Sequence, residues 1–351
     1  MPRQLVTLQL GRAFAALSVL LYHTNATLAL PKYLGYSVFP SLWAADAGVH
    51  YFFVLSGFVI WTAHTADLGR PQRAAAFFWK RFRRVYAPLW VVLLGLVPVF
   101  LLVPSFGKGG ETAPSTLIAA FLITPFEHER LLGPEWTLRH EVLFYCMFGL
   151  AILVPRVGSW LAAAWLALSC LTPWLDLPYP WSFLFADYHL LFLFGMFAGW
   201  AYQRYAHMPS VCLLVIGASL FAGTWALLCL QILTKDWHSH WLFGLGATCI
   251  VLGAAAWERE RAPRVSRAFT FLGDASYAIY LVHFPFISLA CKLLVGRGPG
   301  MLTFWICAAI ALLAGIAFHL IVEKPLLARL PTRLVRVRSV DGAITPEVSR
   351  R

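Results

Sequence analysis

The run Leu8-Gln9-Leu10-Gly11-Arg12-Ala13-Phe14-Ala15-Ala16-Leu17-Ser18-Val19-Leu20-Leu21-Tyr22-His23 sets an arginine and a histidine inside the first apolar stretch of the chain. An α-helix turns about 100° per residue, so the step from Arg12 to His23 returns to within roughly 20° of its starting direction, about 16 Å farther along the axis. The two side chains therefore share one face. A guanidinium and an imidazole are expensive to hold on a membrane helix, and a shared polar cavity is the expected reason for them. The alternative is that Arg12 reaches back to the headgroups while His23 caps the far end of the helix. The residues alone leave both readings open.

Outward from that run, the composition points to a membrane protein. Of 351 residues, 60% are apolar and 13% charged, and the mean hydropathy is +0.70. Apolar segments long enough to cross a bilayer recur to the end. The expected fold is all-α and polytopic, with ten transmembrane helices at 5–27, 47–66, 84–104, 141–155, 159–174, 188–203, 210–232, 240–257, 276–296 and 301–322. An eleventh apolar segment, 115–126, is shorter than the roughly 17 to 25 residues a crossing needs, and is expected to be re-entrant or interfacial. Arg12 interrupts the first apolar run and only Arg3 stands before it, so that run reads as a retained helix and not a signal peptide.

Cytoplasmic loops carry an excess of Lys and Arg. With the N-terminus inside, twenty of the 28 basic residues fall in inner segments: Arg3, six from Arg70 to Arg84, Arg156, Arg204, four from Arg259 to Arg267, and seven from Lys324 onward. Lys32, Lys108, Arg130, Arg139, Lys235 and Arg297 fall outside, and Arg12 and Lys292 lie within spans. Both termini are therefore expected in the cytoplasm, with 1–322 as the transmembrane domain and 323–351 as a basic tail, unstructured from Val340. The net charge of +12 is largely this asymmetry. It argues for contact with membrane lipids and not with nucleic acid. All seven cysteines lie in apolar segments without CxxC spacing, and read as small core residues. His238 and His240 beside Asp236 do not make up a ligand set, so no metal is expected.

The topology gives the remaining polar clusters their sides. Lys80, Arg81, Arg83 and Arg84 stand at the cytoplasmic mouth of the third expected helix, where arginine forks would suit the phosphates of an anionic donor. Juxtamembrane cations that only fix topology are the competing reading. Glu141 opens a helix on the outer side, where the dipole favours a carboxylate, and so is either a simple helix-start residue or an orienter for His23. Tyr277, Tyr280 and His283 form a third polar segment, in which a lone buried histidine is more commonly a packing partner than a catalyst.

Together these residues resemble the acyltransferase-3 family of integral-membrane acyltransferases, along most of the chain. Arg12 and His23 are similar to its first-helix signature, Phe52 to Phe58 to its second-helix motif, and Arg81 and Arg84 to its Arg-x-x-Arg element. Trp136, Thr137 and Leu138 with Glu141 and Tyr145 resemble its tryptophan-to-glutamate element. Gly273, Ser276, Tyr277, Tyr280, Leu281 and His283 resemble its ninth-helix pattern, and Glu323-Lys324-Pro325 its usual ending. Six such matches in order are specific where one would be weak.

The resemblance implies transfer of an acyl group, usually acetyl, from cytosolic acetyl-CoA to a carbohydrate hydroxyl at the outer face of a bacterial inner membrane. Lys80, Arg81, Arg83 and Arg84 would hold the coenzyme phosphates, and Arg12 would guide the acyl end inward. His23 would act as general base or transient acyl acceptor, oriented by Glu141. His50, Trp136, Tyr277, Tyr280 and His283 are further candidates for the substrate path. A lipid-linked exopolysaccharide unit is the expected acceptor, with polysaccharide assembly proteins as further partners.

The chain departs from the family at His50, where Gly-Val-Asp is frequent, so an orienting role there would pass to Asp46, to Glu141 or to no residue. It also ends soon after the tenth helix, without the extracytoplasmic SGNH hydrolase-like domain of some members. Two other classes stay in view. A transporter or flippase for a lipid-linked sugar or small anion predicts ionisable residues near the midplane of several spans. A non-catalytic scaffold predicts indifference to replacement of His23.

Overall fold

The computed structural model describes residues 5–107, 109–125 and 131–331, and all regular structure among them is helical. In chain order the helices are α1 (Val6–Leu28), α2 (Gly48–His64), α3 (Ala74–Leu102), α4 (Pro114–Leu122), α5 (Glu135–Leu153), α6 (Pro155–Leu171), α7 (Trp181–Leu184), α8 (His189–Arg204), α9 (Ser210–Cys229), α10 (Trp237–Arg261), α11 (Arg267–Asp274), α12 (Ser276–Leu294), α13 (Gly300–Phe318) and α14 (Lys324–Arg329). Each of the ten expected segments falls on a long helix. Eight of these helices are long and apolar enough to cross a membrane. The other two, α1 and α5, are diluted by Gln9, Arg12, His23 and Asn25 and by Glu135, Arg139, His140 and Glu141. They are also the helices that carry the candidate chemistry.

Two expected boundaries are corrected. The third helix begins at Ala74 and not near Arg84, so the basic cluster lies within α3. Lysine and arginine are good helix formers, so a helix runs on where the apolar slab stops. Helix α5 likewise begins at Glu135, which puts Glu141 inside the helix and not at its start. Arg139, expected in an outer loop, is buried there and pairs with Glu135 at 2.7 Å, one turn away.

The segment expected to be re-entrant or interfacial is the nine-residue α4, opened by Pro114 and closed at Ile123 in the left-handed region (φ 53°). Its last turn leaves carbonyls without helical partners. Trp90 Nε1 donates to the Phe121 carbonyl at 2.9 Å, and the Tyr86 hydroxyl to the Leu122 carbonyl at 3.1 Å. Tyr86 lies two residues beyond Arg84, so these bonds seat the end of α4 against α3 next to its basic stretch. Backbone that stops inside a membrane needs such protein partners. Phe126, the last residue of the expected segment, is outside the described residues, as are Arg3, Lys108, Arg130 and the tail from 332 onward.

Close helix crossings fix the interior. A Cβ at Gly57 of α2 would fall 2.1 Å from the Phe192 carbonyl oxygen of α8, and one at Gly195 would fall 1.9 Å from the Val54 carbonyl oxygen. Small residues at a crossing let helix backbones approach this closely. The cysteines divide: Cys291 and Cys307 are buried with sulfurs 3.9 Å apart, whereas Cys146 and Cys212 are exposed and are not core residues.

Helix α1 is held at its first turn by a residue far along the chain. Glu258 of α10 accepts from the Val6 and Thr7 backbone N–H groups at 3.0 and 2.8 Å and from the Thr7 hydroxyl at 2.7 Å. It satisfies donors that a helix start leaves open, and so fixes the axial position of Arg12 and His23.

Candidate active site

A cavity of about 740 Å³ opens at the end of the molecule that carries most basic residues and is walled by α1, α2, α3, α5, α10 and α12. That volume is within the roughly 300 to 1,000 Å³ of small-molecule sites. Arg12, Arg81 and Arg84 line it, with Glu141, Tyr145, Tyr277 and Tyr280. The Arg81 guanidinium lies over the Tyr145 and Phe77 rings at 5.6 and 5.8 Å, and its buried Nε has no hydrogen-bond partner among the described residues. An arginine stacked and left with a free donor is prepared for an anion. The other two members of the expected cluster sit elsewhere. Lys80 is exposed, and Arg83 donates to the Leu327 carbonyl next to the last helix.

Glu141 does not meet His23. Its carboxylate accepts from the Tyr145 hydroxyl one turn on and from Ser56 of α2 at 3.2 Å, on the wall of the large cavity. The orienting role assigned to it from sequence is therefore corrected, because α5 starts earlier and carries this side chain deeper than a helix-start residue would lie. Arg12 takes the Gln9 amide oxygen at 3.3 Å. At the deep end, Tyr280 exchanges a hydrogen bond with Thr137 at 2.7 Å and packs against Phe52, while the Tyr277 hydroxyl donates to the Val85 carbonyl at 2.7 Å.

His23 lies beyond that end, and its partner is His283. The Nδ1 of His283 is 2.6 Å from the Tyr280 carbonyl oxygen and 3.2 Å from that of Ile279. Carbonyls only accept, so in the neutral ring this nitrogen carries the hydrogen and Nε2 carries the lone pair. That lone pair faces the Nδ1 of His23 at 3.0 Å, and the Val19 carbonyl lies 3.1 Å from the same nitrogen. The hydrogen of His23 is thus on Nδ1, and its Nε2 is left as an unprotonated nitrogen with no partner among the described residues. Two backbone carbonyls set this state through His283, as a carboxylate sets the tautomer of many catalytic histidines. His283, a secondary candidate from sequence, is the group that orients His23.

A second, smaller cavity of about 190 Å³ lies at the opposite end and takes the remaining candidates. His50 and Trp136 line it, with Asp46, Tyr188, Lys235 and His240, and Val49 lines both cavities. Sequence reasoning weighed His240 only as a metal ligand and missed Asp187, with which it pairs at 2.7 Å. The signal available was the Asp236–Ser239 pattern, a helix start that places His240 inside α10 and not in a loop. Among the described residues no group of three or more His, Cys, Asp and Glu side chains is placed to hold a metal ion.

Residues 5–321 match a family model described as an acyltransferase domain. The exopolysaccharide production protein ExoZ of Rhizobium meliloti (strain 1021) is 29% identical over 295 residues, which cover 81% of this chain and 90% of that protein. The acyltransferase MdmB of Streptomyces mycarofaciens is 27% identical over 379 residues, covering 95% of this chain and 94% of that protein. No solved structure matches.

Proposed function

The chain belongs to the acyltransferase domain family, and from that premise we propose that it O-acetylates a bacterial surface carbohydrate, a lipid-linked exopolysaccharide unit, from cytosolic acetyl-CoA across the inner membrane. The observation that carries the reading is the order of groups along α1: Arg12 in the wall of a cation-lined cavity, and His23 beyond its deep end with a free Nε2. The excess of Lys and Arg in the loops at that end supports a cytoplasmic mouth for the cavity and cytoplasmic termini. Arg81 and Arg84 receive the phosphates of the donor, and the thioester extends past Arg12 toward Tyr280. The Tyr280–Phe52 layer closes the cavity there and parts to admit the acyl group to His23.

The chemistry then balances without a further reagent. Nε2 of His23 takes the proton of the acceptor hydroxyl as its oxygen attacks the acyl carbon, the carbon–sulfur bond breaks, and the proton passes to the departing thiolate. A transient acyl-imidazole on the same nitrogen would serve equally. The exopolysaccharide acceptor is supported by the name of the ExoZ relative.

The test is the ester content of the host's surface polysaccharide, read by NMR in a deletion strain carrying wild type, His23→Ala or Arg81→Ala/Arg84→Ala. Ester restored by wild type alone, at equal protein levels, is the expected result. Equal restoration by the variants overturns the mechanism, and a smaller amount of unacylated polymer indicates transport instead.

A further inference from the structure

We propose that the small cavity around His50 is the acceptor subsite, and that it holds one hydroxylated sugar ring through His50 and the His240–Tyr188 pair. The assignment rests on the acyltransferase reading above for the class of acceptor. His50 is buried, and neither ring nitrogen has a hydrogen-bond partner among the described residues, although the Ala47 carbonyl lies near it one turn back. A neutral imidazole carries one donor and one acceptor; the Ala47 carbonyl can take only the donor, so the acceptor nitrogen is unmet. Buried polar groups are normally paired, and an orphan that lines a cavity needs a ligand or ordered water to complete it.

The neighbours are all committed to fixed geometries. His240 gives its Nδ1 hydrogen to Asp187 at 2.7 Å and takes the Tyr188 hydroxyl at its Nε2, 3.1 Å away. Asp46 is neutralised by Lys235, whose Nζ lies 2.9 Å from both carboxylate oxygens. The cavity thus offers no unpaired charge to an ionic ligand. What it offers is an unmet acceptor nitrogen on His50 beside the aromatic faces of Trp136, Tyr188 and Phe243, which suits a hydroxyl of a neutral polyol with one apolar face. At 190 Å³ it has room for little more than one ring. Its position fits too: Lys235, which lines it, lies 4.7 Å from the ring of Tyr22, the residue next to His23.

Binding measured without acyl donor separates this site from catalysis. The full chain is reconstituted in lipid nanodiscs, and alkali-deacylated surface polysaccharide of the host is titrated onto wild type, His50→Phe, His50→Gln, His240→Phe and His23→Ala. Acetyl-CoA binding to each variant serves as the check on folding. Phenylalanine keeps the ring volume and removes both polar atoms, so His50→Phe and His240→Phe should each weaken polysaccharide binding about tenfold with acetyl-CoA binding unchanged. His50→Gln, which keeps a donor and an acceptor, should stay within a few-fold of wild type, and His23→Ala should bind as wild type. Undiminished binding by folded His50→Phe overturns the subsite. So does failure of wild type to bind the polymer, whereas the acyltransferase reading fails separately, if wild type forms no ester.

Discussion

The two cavities sit end to end, share Val49 as a wall, and are chemical opposites. The large one is lined by the cations Arg12, Arg81 and Arg84, and the buried Nε of Arg81 has no partner among the described residues. The small one contains cations and anions only as closed pairs, and its free capacity is the neutral imidazole of His50. Under the proposed function this asymmetry would keep the donor's phosphates out of the acceptor site, since a charged acceptor site would compete for them. The His23–His283 pair lines neither cavity and packs behind Tyr280 of the large one, where a reacting centre should be if it is to be shielded from water on the donor side.

Removing His23 takes away the proposed reacting group itself and should have the largest effect. General base catalysis is worth about 10² to 10⁴ in rate, so His23→Ala should reduce ester formation by that factor while acetyl-CoA and polysaccharide binding persist. Loss of either binding step in step with rate would show that His23 builds a cavity wall and not a reacting group.

Removing the orienter should cost somewhat less. In His283→Phe the carbonyl-fixed lone pair opposite His23 Nδ1 is lost, and the Val19 carbonyl alone is left to hold the His23 ring. Misplacing a reacting group by about 1 Å costs on the order of 10² in rate. The fall should appear in kcat with KM for both substrates nearly unchanged, and His283→Gln, which can still accept from Nδ1, should recover part of it. A fall in KM terms alone would make His283 a packing residue.

Charge removal tests the donor half of the contrast. Arg81→Ala/Arg84→Ala should raise the KM for acetyl-CoA by about tenfold or more, because hydrogen bonds to charged groups contribute roughly 1.5 to 3 kcal/mol each. Dephospho-CoA thioesters should lose less than acetyl-CoA does, since they present fewer anionic oxygens. Polysaccharide binding should not change. If it weakens equally, the two cavities are not separate sites.

Local features of the chain made half of this arrangement legible. Arg12 and His23 share one helix, so spacing alone placed them on one face, and the apolar segments gave the helices. Partners across helices were not legible: His283 reaches His23 over 260 positions of sequence and Glu258 reaches Thr7 over 251. The reading of Glu141 failed for a different reason. Polar residues from Glu135 to Glu141 look like a loop to a hydropathy window, yet Arg139 pairs with Glu135 inside the helix and lets the polar stretch be buried.

Glu258 gives the smallest effect and separates architecture from chemistry. It lies on the wall of the large cavity, where a carboxylate would repel the donor, but its oxygens are occupied by the first turn of α1. Loss of an N-terminal cap costs typically about 1 kcal/mol. Glu258→Gln keeps one acceptor oxygen and removes the charge, so it should lower the temperature at which the detergent-solubilised protein loses its monodisperse peak by only a few degrees. Glu258→Ala should lower it further. Neither should raise acetyl-CoA affinity appreciably if the carboxylate is spent on the helix. A clear gain in donor affinity for Glu258→Gln, at unchanged stability, would mean that this carboxylate belongs to the electrostatics of the donor cavity and that α1 is held in place by its packing alone.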